Sequence, residues 1–537
     1  MLAATNWSVA EKKKTIYKES AFKKISNALM KSYRHESLEG LTLVDAIQRL
    51  GIEYYFKGEI KAILDQQYLK LHVGAEHSAA LNETALRFRL LRQEGYCVSA
   101  DMFVKFKNEN GTFRAELSED IQGLMSLFEA SELRVEAEDI LAEAYEYSRQ
   151  VLDVATWNPH QSLASVIGHT LKHPHHKSLA KFTAENFLSD FYNRKSMKKE
   201  LTQLSEKDFY MIRAIYKEEL HQILSWWEDL GLFKKMNFAR NRPVKWYMWP
   251  VAMLSDPSMS DVRTEIIKTG ALIYIIDDLF DNFGTLDDLV VFTEAVNRWD
   301  FNMVRHLPEC MRVCFKTLYD ITAEIGQHIS ARNGFNPTDT IRKMWANLCN
   351  AYLVEARWLN SGYMPSTEVY LKNGMVTSGV PIVLAHLYFL LGEDGADCKV
   401  DISNDSLSIV NNVAIILRLW NDLGGAKDEN EDSNDWSFLD SYLNEHKGSS
   451  VDSAREHVQQ MISDKWTRLN EDYISPNPFS SPMNLSQSPR GPTWPSQWPK
   501  ERCQCGQCSS HQLLPQILPS CTKNSSAGPS FFVPDSG

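Results

Sequence analysis

The segment DDLFD sets three carboxylates, Asp277, Asp278 and Asp281, at the end of the apolar run ALIYII. An ionised carboxylate drawn toward apolar surroundings is costly unless a cation compensates it. On a helix Asp277 and Asp281 lie one turn apart on one face, with Asp278 beside them. A hard divalent cation relieves their repulsion, and Mg2+ takes one or two carboxylates while keeping waters and substrate phosphates. A second stripe occurs in NDLGGAKDE, where Asn421, Gly425 and Glu429 fall at i, i+4 and i+8, with Asp422 and Asp428 turned elsewhere. Two such stripes facing each other across a bundle would gather metal ions bridged by a pyrophosphate. On spacing alone, an acidic helix cap and a polar helix end stopped by Gly424–Gly425 remain open alternatives.

Basic and aromatic residues flank both stripes. Arg240 and Arg242 alternate in FARNRPVKWYMW, where Pro243 makes the backbone locally irregular, and guanidinium forks grip phosphate oxygens. Arg418 lies three residues before Asn421 and shares its face. Trp246, Tyr247, Trp249, Tyr274, Phe280 and Trp420 cluster along the same segments. Core packing is the default for any one ring, but several rings beside a metal-bound pyrophosphate would suit a carbocation.

The elements that must position these groups are helical. Apolar residues recur at three- and four-residue spacing in LVDAIQRLGIEYYF, DIQGLMSLFEASEL and DILAEAYEYSRQVL, and strand-like alternation is scarce. An all-α fold follows, with two helical domains: residues 1–205 and a metal-binding, catalytic unit at 206–478, divided at the polar stretch NRKSMKKELTQLSEKDF. No internal repeat is evident. Residues 479–537 carry many of the 20 prolines, numerous serines and the cluster CQCGQC, and are expected to be disordered. Cys503, Cys505 and Cys508 lack the second ligand pair of a zinc site.

With 537 residues at net charge −12, the chain lacks the basic footprint of a nucleic-acid binder. The scattered cysteines, Cys97, Cys310, Cys314, Cys349 and Cys398, suit a reducing compartment. No run of about 18 apolar residues reads as a membrane span. The Lys-rich N-terminus resembles neither a signal nor a transit peptide, which favours the cytoplasm over a plastid.

In their order, RNR at 240–242, DDLFD at 277–281 and NDLGGAKDE at 421–429 resemble the plant class I terpene synthases, as do HPHHKSLAKF and YLKNGMVTSGV. The resemblance covers residues 37–480. It implies an N-terminal helical domain, a catalytic C-terminal bundle, three Mg2+ ions with Mn2+ as a substitute, and a monomer acting on a small prenyl diphosphate without nucleic acid or membrane. It further implies Asp277, Asp281, Asn421 and Glu429 as metal ligands, Asp278 as part of the same acidic centre, and Arg240, Arg242 and Arg418 as diphosphate ligands. Trp249 is implied as cavity lining, and Ser378–Gly379 as a helix break that aims carbonyls inward. Gly425 replaces the usual Ser or Thr, which removes one side-chain oxygen. The tandem-Arg motif of many cyclising synthases is absent, pointing to the subgroup that forms the acyclic alcohols linalool and nerolidol.

An isoprenyl diphosphate synthase would carry a second DDxxD in place of the Asn421–Glu429 pattern. A silent paralogue that only binds prenyl diphosphates is the non-enzymatic alternative. After SPNPF the family continues with helices whose loop closes over the site, whereas this chain turns Pro- and Cys-rich; an unlidded pocket would turn over poorly. His169, His173, His175 and His176 have spacing that would seat Zn2+, but Pro174 interrupts them and the resemblance places them in the noncatalytic domain.

Overall fold

The computed structural model describes residues 19–35, 38–73, 80–157, 163–181, 183, 184, 187, 197–236, 238–392, 408–425 and 436–474. The described residues form helices and no strands, in agreement with the periodicity; one isolated bridge joins Lys107 and Phe113.

The N-terminal half contains α1 (Ser20–His35), α2 (Leu38–Arg49), α3 (Lys57–Val73), α4 (Leu81–Gln93), α5 (Ile121–Ser131), α6 (Asp139–Thr156) and α7 (Ala164–Lys172). Helices α4 to α7 pack in succession, burying Phe88, Leu124, Leu127 and Leu141. Inside this half, Arg89 is 1% exposed and paired with Asp45, while Arg92 pairs with Glu138. Buried ions of this kind persist only when partnered.

Helix α8 (Lys198–Leu230) carries the chain through residue 205 without interruption. Its first turns pack on α1, and the fully buried Asp208 receives the hydroxyls of Tyr54 and Tyr55 and the ammonium of Lys181. Its later turns support the C-terminal bundle through Glu219, whose carboxylate accepts from Arg263 Nε at 2.9 Å and Nη2 at 2.5 Å.

That bundle comprises α9 (Pro243–Met253), α10 (Ser260–Asn282), α11 (Leu286–Arg298), α12 (Glu309–Asn333), α13 (Thr338–Ser361), α14 (Thr367–Thr377), α15 (Val380–Leu391), α16 (Ser408–Gly425), α17 (Phe438–Glu445) and α18 (Val451–Ile474). Helix α10 is central: it packs against α9, α13 and α15, and buries Ile266, Ile267, Ala271, Leu272, Ile275, Ile276 and Leu279. Each of these Ile and Leu side chains contributes about 1.5–3 kcal/mol by leaving water. Helices α14 and α15 both pack on α16, and α18 covers the outside of α16.

Thr367–Leu391 is, contrary to the expectation from sequence, long and apolar enough to qualify as a membrane span, with mean hydropathy 1.7. The segment is broken at Ser378–Gly379, and 67% of its most apolar 18-residue window, to which that hydropathy belongs, is buried inside the protein, as befits core helices of a bundle. Gly379 makes the break with φ +72°, a conformation costly for a residue with a Cβ. Cys310, Cys314 and Cys349 are buried free thiols and Cys97 is exposed. Cys398 and the cysteines beyond residue 500 lie outside the described residues, as do residues 479–537 as a whole.

Candidate functional site

Two guanidinium groups and five carboxylates converge where α10, α13, α14 and α16 approach one another. On α10, the residues of DDLFD separate by rotation about the helix: Asp277 is half-buried, Asp278 is 3% exposed and Asp281 faces outward. The segment before α9 delivers Arg240 onto this face. Its backbone N–H donates to Asp278 Oδ2 at 2.6 Å, and its Nε lies 2.7 Å from Asp278 Oδ1. Nη2 pairs with Asp277, and the guanidinium lies over the Tyr274 ring at 5.0 Å. Asp278 is therefore committed to holding Arg240, whereas Asp277 and Asp281 present the more accessible oxygens. Burial pushes the Asp278 carboxyl above its ordinary value, and the Arg240 charge pulls it back down.

Opposite them, Arg418 on α16 lies in a nest of polar groups. Its Nε donates to the Tyr370 hydroxyl at 2.8 Å and lies 3.3 Å from Asp422 Oδ1; its Nη1 donates to Thr377 Oγ1 at 3.3 Å and stands 3.8 Å from Glu355 Oε1. Gly374 makes this approach possible, since a Cβ there would sit 3.1 Å from Arg418 Cγ. Asp422 is buried, and also accepts from the Tyr370 hydroxyl and from the backbone N–H of Phe438 at 3.0 Å. It turns away from the exposed Asn421, as its helical position requires.

Glu355 on α13 joins the two walls. Thr377 Oγ1 donates to it at 2.9 Å, and its carboxyl is pushed up by burial, lowered by Arg418 and raised again by the negative charge of Asp277. The hydroxyl of Tyr352, one turn earlier, is held well above the tyrosine range by burial and then by Asp277, Glu355 and Asp281. Phe280 of the aspartate-rich segment packs on Tyr352 at 5.7 Å and Glu355, one turn on, stands 3.8 Å from Arg418, which joins the two walls in a single site. Sequence reasoning missed Glu355, Tyr370 and Thr377. The signal was a carboxylate on an apolar stripe: Leu348, Tyr352 and Glu355 follow at i, i+4 and i+7, and the first two are buried.

Other expected residues sort differently. Arg242 is exposed and precedes α9, whose first residue is Pro243; the proline starts a helix instead of disrupting one, because its missing N–H costs nothing there. Asn421 is exposed near the end of α16, Gly425 is that helix's last residue, and Glu429 and Asp428 lie outside the described residues. Trp246 stacks on Tyr274 at 5.4 Å, and Trp249 meets Tyr274 edge-on at 6.0 Å. Tyr247 is core, donating its hydroxyl to Glu219, and Phe280 packs on Phe292 and Tyr352. Trp420 does not join these rings: it lines a groove of about 1320 Å³ between α6 and α18, with Tyr145 and Trp466. His175 is buried, and His176 reaches Asn470 on α18.

Residues 228–468 match the family model described as terpene synthase family, metal binding domain, and residues 3–171 match terpene synthase, N-terminal domain. Probable terpene synthase 13 of Ricinus communis is 48% identical over 83% of this chain and 78% of its own length. The chain belongs to the terpene synthase family. S-(+)-linalool synthase, chloroplastic, of Arabidopsis thaliana is 42% identical over 86% of this chain and 81% of that protein. (E)-nerolidol synthase of Cannabis sativa is 42% identical over 84% and 83%. Among solved structures, isoprene synthase from grey poplar leaves, in complex with three Mg2+ ions and dimethylallyl-S-thiolodiphosphate, superposes with TM-score 0.79 at 32% identity, covering 88% of this chain and 92% of that one. Terpene synthases are lyases acting on prenyl diphosphates, and this chain carries the family's metal-binding domain.

Proposed function

We propose that this chain ionises geranyl or farnesyl diphosphate and that water captures the allylic cation, giving linalool or nerolidol. The observation that carries the reading is the shared site of Asp277, Asp281 and Glu355 with Arg240 and Arg418. Hard oxygen donors there fit Mg2+: the half-buried carboxylates of Glu355 and Asp277 repel each other, and a divalent ion relieves that repulsion. Asp277, Asp281 and Glu355 on one side and Asn421 with Glu429 on the other would hold three ions, with Mn2+ as a substitute. When bound, the metal neutralises charge on the departing diphosphate.

The chain's own residues do the rest. Arg240 and Arg418 offer guanidinium forks to the phosphate oxygens, with charge-assisted bonds about twice as strong as neutral ones. Asp278 fixes Arg240, and Tyr370 with Asp422 fixes Arg418, so both forks are oriented ahead of substrate arrival. The Tyr274 ring lies under the Arg240 guanidinium and Trp249 meets its edge, so Trp249 is the ring whose π face would stabilise the cation left by ionisation. Similarity to linalool and nerolidol synthases supports the acyclic alcohol, while the name of the castor relative specifies no product. Compartment and substrate length go together in this reading: cytoplasm with farnesyl diphosphate and nerolidol, plastid with geranyl diphosphate and linalool. The linalool synthase relative carries the chloroplastic label.

Gas chromatography of products from purified protein, Mg2+ and each diphosphate tests the reading, and linalool or nerolidol is the expected volatile. Binding without volatile product would replace it with a silent prenyl-diphosphate binder. Elongated diphosphates formed only with added isopentenyl diphosphate would replace it with an isoprenyl diphosphate synthase.

A further inference from the structure

We propose that Asn470 is a positioning residue through which the N-terminal domain sets the placement of α16, and with it Arg418 and Asn421; the inference rests on the role given to those two residues above. Asn470, on α18, is 4% exposed, and its amide is spent entirely on the other domain. Nδ2 donates to the carbonyls of Glu132 and Arg134, both at 3.0 Å, and Oδ1 accepts from His176 Nε2 at 2.9 Å. Burial pushes His176 down to about 4, so the ring is neutral at physiological pH and carries its proton on Nε2.

Further ties follow the same face of α18. Arg134 Nη2 donates to Ser463 Oγ at 2.8 Å, Tyr473 OH donates to Gln93 O at 3.1 Å, and the Lys177 ammonium lies over the Trp466 ring at 5.5 Å. Two residues beyond Asn470, Asp472 faces α16: its Oδ2 accepts from Ser408 Oγ at 2.9 Å and from Asn412 Nδ2 at 3.0 Å. Helix α16 then runs straight to Arg418, Asn421 and Asp422. The N-terminal domain thus holds α18, and α18 holds the start of the helix that bears one wall of the site. A binding constellation loses function when its groups drift by about 0.5 Å, so this chain of directional bonds, buried at Asn470 and more open at Asp472, supplies precision that the bundle's apolar packing alone does not.

The test uses the full chain and inorganic pyrophosphate in saturating Mg2+, measured by isothermal titration, with thermal unfolding in parallel. Asn470→Ala and Asp472→Ala are each expected to weaken pyrophosphate binding by about twofold to thirtyfold. The double variant is expected to bind no more weakly than the weaker single, because both cut one linkage. His176→Phe removes a single bond and is expected to shift affinity in the same direction, which covers the case of an Asn470→Ala protein that fails to fold. A lowered unfolding temperature with unchanged affinity, or effects that multiply in the double variant, would overturn the proposal. Asn421→Ala separates the two levels. If it binds pyrophosphate as the parent does, the assignment of α16 falls and the inference with it; if it weakens binding while Asn470→Ala and His176→Phe do not, only the inference falls.

Discussion

Arg240 and Arg242 are indistinguishable in sequence as phosphate ligands, and the structure separates them. The informative change is Arg240→Lys, which keeps the charge and removes the planar fork. Asp278 retains the backbone N–H of residue 240 at 2.6 Å, so the buried carboxylate is not left bare. What is lost is the Nε contact at 2.7 Å and the second nitrogen that reaches Asp277. Lysine presents a single ammonium and cannot span both. A hydrogen bond to a charged group contributes about 1.5–3 kcal/mol net, so losing one fork contact to pyrophosphate corresponds to about a tenfold to hundredfold rise in Kd. Arg242→Lys, at an exposed position, is expected to stay within about 0.5 kcal/mol of the parent. Isothermal titration of inorganic pyrophosphate in saturating Mg2+ reads both variants on one scale. An Arg240→Lys protein that binds within twofold of the parent, or an Arg242→Lys protein that shows the larger loss, refutes the assignment of Arg240 as the preorganised phosphate ligand.

Four further outcomes are expected. Asp277→Ala abolishes ionisation while circular dichroism shows an intact helical fold, because a half-buried oxygen donor is removed without opening a core cavity; full turnover would refute its role in metal binding. Arg263→Met removes the cation that compensates the buried Glu219 carboxylate, leaving it the Tyr247 hydroxyl, and costs about 3–5 kcal/mol in chemical denaturation. Gly379→Ala forces a Cβ onto φ +72° and within 3.1 Å of Ile273, costing about 1–3 kcal/mol, and an unchanged denaturation midpoint would contradict the strain argument. His176 and His386 are pushed down to about 4 by burial, below an ordinary 6.5. The unfolded chain therefore binds more protons between those values, and each histidine contributes about 3 kcal/mol of stability that is present above pH 6.5 and lost as pH falls toward 4. Denaturation at pH 7 and pH 5 checks this, with His386→Leu expected to flatten the dependence.

Helix type and the acidic and basic motifs are legible in the sequence, because each is a matter of local spacing; the break at Ser378–Gly379 follows only from the family resemblance. A 3.6-residue period states which side chains share a face, so the sequence alone groups Asp277 with Asp281 and turns Asp422 away from Asn421. Period does not state which element a face meets. Asp278 and Asp277 are neighbours in sequence, and only the approach of the Arg240 segment to α10 commits the first to an arginine and leaves the second more accessible. Glu355 and Tyr370 carry no motif; they enter the site because α13 and α14 pack against α10 and α16, which brings together residues 78 and 48 positions away from Asp277 and Arg418. Trp420 shows the converse, lying next to a motif residue yet facing a groove on the other side of its helix. Those partnerships depend on burial and charge compensation across helices, and such long-range terms exist only once the chain has folded.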